Sequence, residues 1–190
     1  MIEAQEFGRL ITAMVTPFDR DENLDTRQVR TLAKHLVDTG TQSIVVAGTT
    51  GESPTLTEQE RADLLDTVLE EVGDRARVIA GTSTYSTRES IHLSRMAQRQ
   101  GAHGLLLVTP YYNKPSQEGL FRHFGAIADA VDIPVVLYNV PSRTNVNMTP
   151  ETVLRLDQAY QNIVGLKEAI GTSDERGQGQ VTTVTQNRTP

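Results

Sequence analysis

The sequence predicts an α/β protein, a (β/α)8 barrel of which about six βα units are present. Three observations predict it. Six short apolar runs, Leu10–Val15, Ser43–Ala47, Arg77–Ala80, Gly104–Val108, Val135–Tyr138 and Ile163–Lys167, start 27–34 residues apart, about the size of a strand with its crossover helix. Each is rich in Val, Ile and Leu without polar alternation, as in parallel strands buried on both faces. The first is followed by Thr16-Pro17-Phe18-Asp19 and not by the glycine-rich turn of an open dinucleotide-binding sheet, so the barrel is preferred over the doubly wound alternative.

Helical patterns fill the gaps in order. Val29, Leu32, Ala33, Leu36 and Val37 share one helical face, with Gly40 as a stop. Thr57-Glu58-Gln59-Glu60 carries the signature of a capping box, and its helix runs through Ala62, Leu65, Val68, Leu69 and Val72 to Gly73. A third helix spans about Thr87–Gln100 and ends at Gly101. A fourth starts near Ser116 and buries Leu120, Phe121, Phe124, Ile127, Ala128 and Val131. The fifth opens with Thr149 as cap and Pro150 at the first helical position.

Six such units use the chain up to residue 169, and a complete barrel needs about 250 residues against the 190 present. Residues 1–169 are therefore expected to form a partial barrel that carries the catalytic residues. Residues 170–190 hold three aliphatics among Gly, Gln, Thr, Asp and Arg and follow neither period. They are expected to be a disordered or frame-shifted tail, the last two units being absent. Exposed sheet edges and uncovered helix faces are then expected to leave the chain poorly stable alone and weakly active or inactive.

The composition excludes several classes of function. Net charge is −6, which argues against a nucleic-acid surface. The longest apolar runs have four or five residues, far short of a bilayer span, and Met1–Arg9 lacks the apolar core of a secretory signal. The chain contains no Cys, which removes disulfides, thiolate nucleophiles and Cys-ligated zinc and suits the cytoplasm. The four histidines, His35, His92, His103 and His123, show no ligand spacing, so no metal is expected.

In a βα barrel the chemistry sits where strands end and βα loops begin. Lys167 is the sharpest candidate there. It is one of three lysines, with Lys34 on a helix and Lys114 in a loop, and it closes the apolar run Ile163-Val164-Gly165-Leu166. A lysine buried in such a strand loses its proton more easily, and a neutral amine can attack a carbonyl to form an imine. The alternative is a strand-end lysine that snorkels to solvent. Tyr138, at the end of the fifth run, is a candidate general acid/base or else a packed rim aromatic. Tyr111 and Tyr112 follow the fourth run, where paired tyrosines also suit an interface. Gly48-Thr49-Thr50-Gly51 offers backbone N–H groups and two hydroxyls as a carboxylate cradle, or is an ordinary βα turn. Arg143 suits bidentate carboxylate recognition, or is a solvated loop arginine. Of the carboxylates, Glu52 and Glu168 fall at strand ends, while Asp63, Asp66, Glu70 and Glu71 form a solvated helix face.

Together, Gly48-Thr-Thr-Gly-Glu-Ser53, Thr109-Pro-Tyr-Tyr-Asn113, Tyr138-Asn-Val-Pro-Ser-Arg143 and Gly165-Leu-Lys-Glu-Ala169 resemble the dihydrodipicolinate synthase (4-hydroxy-tetrahydrodipicolinate synthase) family over residues 8–169. The resemblance implies a (β/α)8 TIM barrel of the class I aldolase type, in the full-length family a homo-oligomer built as a dimer of tight dimers. It implies condensation of pyruvate with L-aspartate-4-semialdehyde in lysine and diaminopimelate biosynthesis, with no metal or organic cofactor. Lys167 would form the covalent pyruvate imine. Tyr138 would move protons, linked through Thr49 to a Tyr112 supplied by the neighbouring subunit. Thr50 would hold the pyruvate carboxylate and Arg143 that of the semialdehyde. Glu58, Arg61 and Tyr85 stand where lysine-inhibited members carry their effector residues, so lysine feedback is not expected. The competing readings are a non-catalytic fragment and a related pyruvate-dependent aldolase, such as an N-acetylneuraminate lyase or a 2-keto-3-deoxy-sugar-acid aldolase. Thr50 and the Pro141-Ser142-Arg143 stretch favour the synthase.

Overall fold

The computed structural model describes residues 7–170. The expected tail, beyond Ile170, lies outside the described residues. Six strands form one parallel sheet in strictly sequential order: β1 (Ile11–Ala13), β2 (Ser43–Val46), β3 (Arg77–Gly81), β4 (Gly104–Val108), β5 (Val135–Asn139) and β6 (Ile163–Glu168). A doubly wound sheet reverses its strand order and carries helices on both faces. Here the order never reverses, and helices α1 (Thr26–Asp38), α2 (Glu58–Val72), α3 (Thr87–Gln100), α4 (Gln117–Ala128) and α6 (Pro150–Ala159) pack on their neighbours in one layer. The result is a half-barrel, as the alternation predicted.

The two sheet faces have separate cores. Ile44, Val46, Val78, Leu105, Leu107 and Leu137 face the helices with Val68, Phe124 and Leu156. Val45, Ile79, Leu106, Tyr138 and Val164 face the concave side. Phe7 plugs that side at the starts of the strands. Its carbonyl accepts the Ser43 hydroxyl at 2.6 Å, and a Cβ on Gly104 would lie 2.5 Å from its ring. The opposite end, where the strands finish, is left for chemistry.

The helix starts follow from their caps. Thr57 and Glu60 exchange both bonds of the capping box, and Ser116 and Thr149 accept from the third residue beyond. Each such cap contributes about 1 kcal/mol. A short helix α5 (Pro141–Thr144), invisible to periodicity at four residues, directly follows β5.

The strands depart from perfect regularity at one place. Ile163 pairs with Val135 but Gly165 pairs with Val136, so β6 holds one extra residue there. Ile163 and Leu166 both face the helix layer, three residues apart, and Val164 and Lys167 both reach the concave side. A period of two forbids that spacing, and the bulge restores it.

His123, on α4, is a buried group with a thermodynamic consequence. Its Nδ1 lies 2.8 Å from the Thr87 hydroxyl, its Nε2 is buried without a hydrogen-bond partner, and burial depresses its pKa from 6.5 to about 4. Between those values the unfolded chain binds a proton that the folded chain refuses. Stability is thus fully present above pH 6.5 and is lost as pH falls toward 4. Urea titrations at pH 7 and pH 4 should show about 3 kcal/mol more acid destabilisation in the unsubstituted chain than in His123→Gln; equal losses would contradict this.

Candidate active site

The loops after β2, β3, β4 and β5 enclose a cavity of about 220 Å³ whose lining includes Thr49, Ser53, Ser83, Tyr111, Tyr138 and Arg143. Tyr138 is 6% exposed and forms part of its floor. Lys167 stands opposite Tyr138 in the sheet register, with its Nζ 4.4 Å from the centre of the Tyr138 ring.

The sequence predicted a buried lysine, and the structure modifies this. The start of β6 is buried, but Lys167 keeps much of its side chain open, because among the described residues β6 pairs only with β5. The protein that does surround the amine is enough to lower its pKa below the ordinary lysine value, with burial as the cause. The ammonium, when present, meets the face of the phenol ring.

The βα2 loop reaches the cavity through backbone strain. Ala47 adopts φ +49°, unusual for a residue with a Cβ, and its carbonyl lies where a Cβ on Gly81 would come within 2.2 Å of it. Only glycine at 81 lets β3 and the loop approach this closely. Three bonds from two side chains fix the loop beyond. Thr16 donates its hydroxyl to the Gly51 carbonyl at 2.7 Å, and the Arg61 guanidinium donates to the carbonyls of Ser53 and Gly81. Arg61 is a partly buried cation whose pKa burial lowers.

Not all of the sequence candidates come together. Thr49, Tyr138 and Arg143 line one cavity, and Lys167 adjoins it over Tyr138. Thr50 is exposed at the loop tip. Tyr112 is 93% exposed with φ +72°, so its own chain does not hold it. Tyr111 instead turns inward, packs edge-on against Tyr85 at 5.4 Å and has its pKa raised by burial.

Sequence reasoning passed over the end of β3. There Ser83 accepts the Val108 N–H at 2.5 Å and lines the cavity, and Thr82 pairs with Ser94 at 2.8 Å. The hydroxyl run Thr82-Ser83-Thr84 was the available signal. It also passed over Asn139 and gave no role to Glu168, which bond to each other at 2.9 Å beside the Tyr138–Lys167 pair.

The dihydrodipicolinate synthetase family profile matches residues 6–187. The chain belongs to this family. A 4-hydroxy-tetrahydrodipicolinate synthase of Symbiobacterium thermophilum is 60% identical over 162 residues, 85% of this chain and 55% of that protein. Among solved structures, the dihydrodipicolinate synthase of Thermotoga maritima superposes with a TM-score of 0.91 at 42% identity, covering 96% of this chain and 61% of that one. The chloride-inhibited synthase of Acinetobacter baumannii, solved in complex with pyruvate, gives 0.88 at 43% identity, covering 93% and 60%. The chain thus spans a little over half the length of these relatives, and its half-barrel corresponds to part of the TIM barrel of the family.

Gly81→Ala tests the loop packing. The added methyl meets the Ala47 carbonyl, and urea unfolding should show a loss of about 1–3 kcal/mol. Wild-type stability would contradict the tight approach.

Proposed function

We propose that this chain performs the Schiff-base chemistry of a 4-hydroxy-tetrahydrodipicolinate synthase, condensing pyruvate with L-aspartate-4-semialdehyde. The observation that carries the reading is the Lys167 amine lying 4.4 Å above the Tyr138 ring, beside a cavity that Arg143 and Thr49 also line. Membership of the family supports it.

In this reading the neutral Lys167 amine attacks the keto carbon of pyruvate and water leaves, giving an iminium. Its depressed pKa raises the fraction of amine available at neutral pH. The iminium withdraws electrons from the adjacent methyl group, which loses a proton to become an enamine. The enamine carbon then attacks the aldehyde, and the amino group of the semialdehyde closes the ring by displacing Lys167. Tyr138 relays the protons, held 6% exposed and close to the reacting nitrogen. Thr50 and the loop amides bind the pyruvate carboxylate, and Arg143 binds that of the semialdehyde. The covalent imine is the electron sink, so no metal or organic cofactor takes part.

Tyr112 completes the proton relay in a second copy of the chain, through Thr49. Its outward position in its own chain supports this role and that of a tight dimer as the working unit. The proposed setting is cytoplasmic biosynthesis of lysine and diaminopimelate.

Borohydride reduction in the presence of pyruvate, read by mass spectrometry of peptides, should add one pyruvate-derived mass to Lys167. Lys167→Arg keeps the charge but cannot form the imine and should show no adduct. A folded chain with no adduct at Lys167, or with equal labelling of Lys34 and Lys114, would overturn the proposal.

A further inference from the structure

We propose that Asn139 and Glu168 form a clamp behind Tyr138 and Lys167 that holds the amine over the phenol ring, which makes both of them positioning residues for the reaction proposed above, on which this inference rests.

Each clamp residue directly follows one member of the reacting pair. The sheet register aligns Tyr138 with Lys167 and, one step on, Asn139 with Glu168. Successive side chains of a strand leave opposite faces, so the clamp closes on the other side of the sheet from the amine. Asn139 is 0% exposed, and its whole carboxamide is engaged. Its Nδ2 donates to Glu168 Oε2 and to Asn147 Oδ1, each at 2.9 Å, and its Oδ1 accepts the Met148 N–H at 3.0 Å. The second Glu168 oxygen accepts the Ile170 N–H at 2.9 Å, and the Asn139 carbonyl accepts the Ala169 N–H at 3.0 Å. Three segments are tied at one buried amide: the end of β5, the end of β6 and the approach to α6.

The need for such a tie is local. Among the described residues β6 has one hydrogen-bonded neighbour, and its ladder is interrupted by the bulge at Val164, three residues before Lys167. Among the described residues, the last four residues of β6 are held to the sheet by β5 alone, on a ladder that restarts at Gly165. A carboxylate accepting from a buried amide is a strong hydrogen bond, and here it fixes the residue next to the lysine. The Glu168 carboxylate is committed to this bonding, across the sheet from the reacting nitrogen, and is a restraint, not an acid or base. The ionisable group that the amine stands over is the Tyr138 phenol of β5. Burial is what lowers the lysine pKa, so freedom to swing into water would raise it.

The test joins two readouts. The lysine side chains of the carbon-13-labelled chain are titrated by NMR, and borohydride trapping with pyruvate is timed. Lys167 should titrate below the ordinary lysine value. Glu168→Ala should move its midpoint up toward the ordinary lysine value and slow trapping roughly 10- to 100-fold. Glu168→Gln, which keeps an oxygen for Asn139, should recover most of both. Should Glu168→Ala lose its cooperative melt, Glu168→Asp withdraws the carboxylate by one methylene and carries the same expectation. An unchanged Lys167 midpoint in the folded variant overturns the clamp without need of turnover. Absence of an adduct on the unsubstituted chain overturns the reaction instead.

Discussion

The arrangement depends on one extra residue in β6. Had the ladder continued without the bulge, Val164 would face Val136, Leu166 would face Tyr138, and Lys167 would pair with Asn139 on the helix side of the sheet. The added residue shifts the register by one and returns Lys167 to the concave face beside Tyr138. A one-residue slip moves every following side chain to the other face. The chemistry proposed for this chain rests on that parity, because an amine among the helix-facing aliphatics would meet neither the phenol nor the cavity.

The surroundings serve the same geometry from different directions. Phe7 fills the concave side at the strand starts and leaves the free volume at the strand ends. The strained Ala47, accommodated by Gly81, brings the Thr49 loop over that volume. Strain of this kind costs of order 1–3 kcal/mol and persists only where neighbours impose it; Thr16 and Arg61 are those neighbours here. Arg143 arrives through α5, a single turn attached to the end of β5, so the residue proposed to read the second substrate is placed by the strand that carries the proton relay.

Much of this was legible in the sequence. The third helix has the limits that its pattern gave, and Thr57, Ser116 and Thr149 cap helices as their residue types required. These signals are local, written within one turn. Strand β1 was legible by its apolar run, although the structure leaves Ile11 exposed, and β2 to β5 were legible because burial on both faces leaves uninterrupted apolar runs. The same property hid the bulge: Ile163-Val164-Gly165-Leu166 is apolar throughout and holds no alternation from which a change of parity could be read. The partial exposure of Lys167 was hidden for a related reason, since an apolar run does not say how many neighbours its strand will have. The Asn139–Glu168 bond joins residues 29 apart and exists only once β5 and β6 are in register. Tyr112 was singled out by resemblance, and its outward placement is a fact of three dimensions that no spacing contained.

The register itself is open to a direct measurement, because the chain has no cysteine of its own. Two double variants, Tyr138→Cys with Lys167→Cys and Asn139→Cys with Lys167→Cys, are oxidised under mild conditions and scored for the disulfide by mass. Directly paired residues on one face bring their Cβ atoms within bridging range, while residues one step apart on opposite faces do not. The account expects rapid closure of the 138–167 pair and little of the 139–167 pair. Preferential closure of 139–167 would place the lysine on the helix side and contradict it.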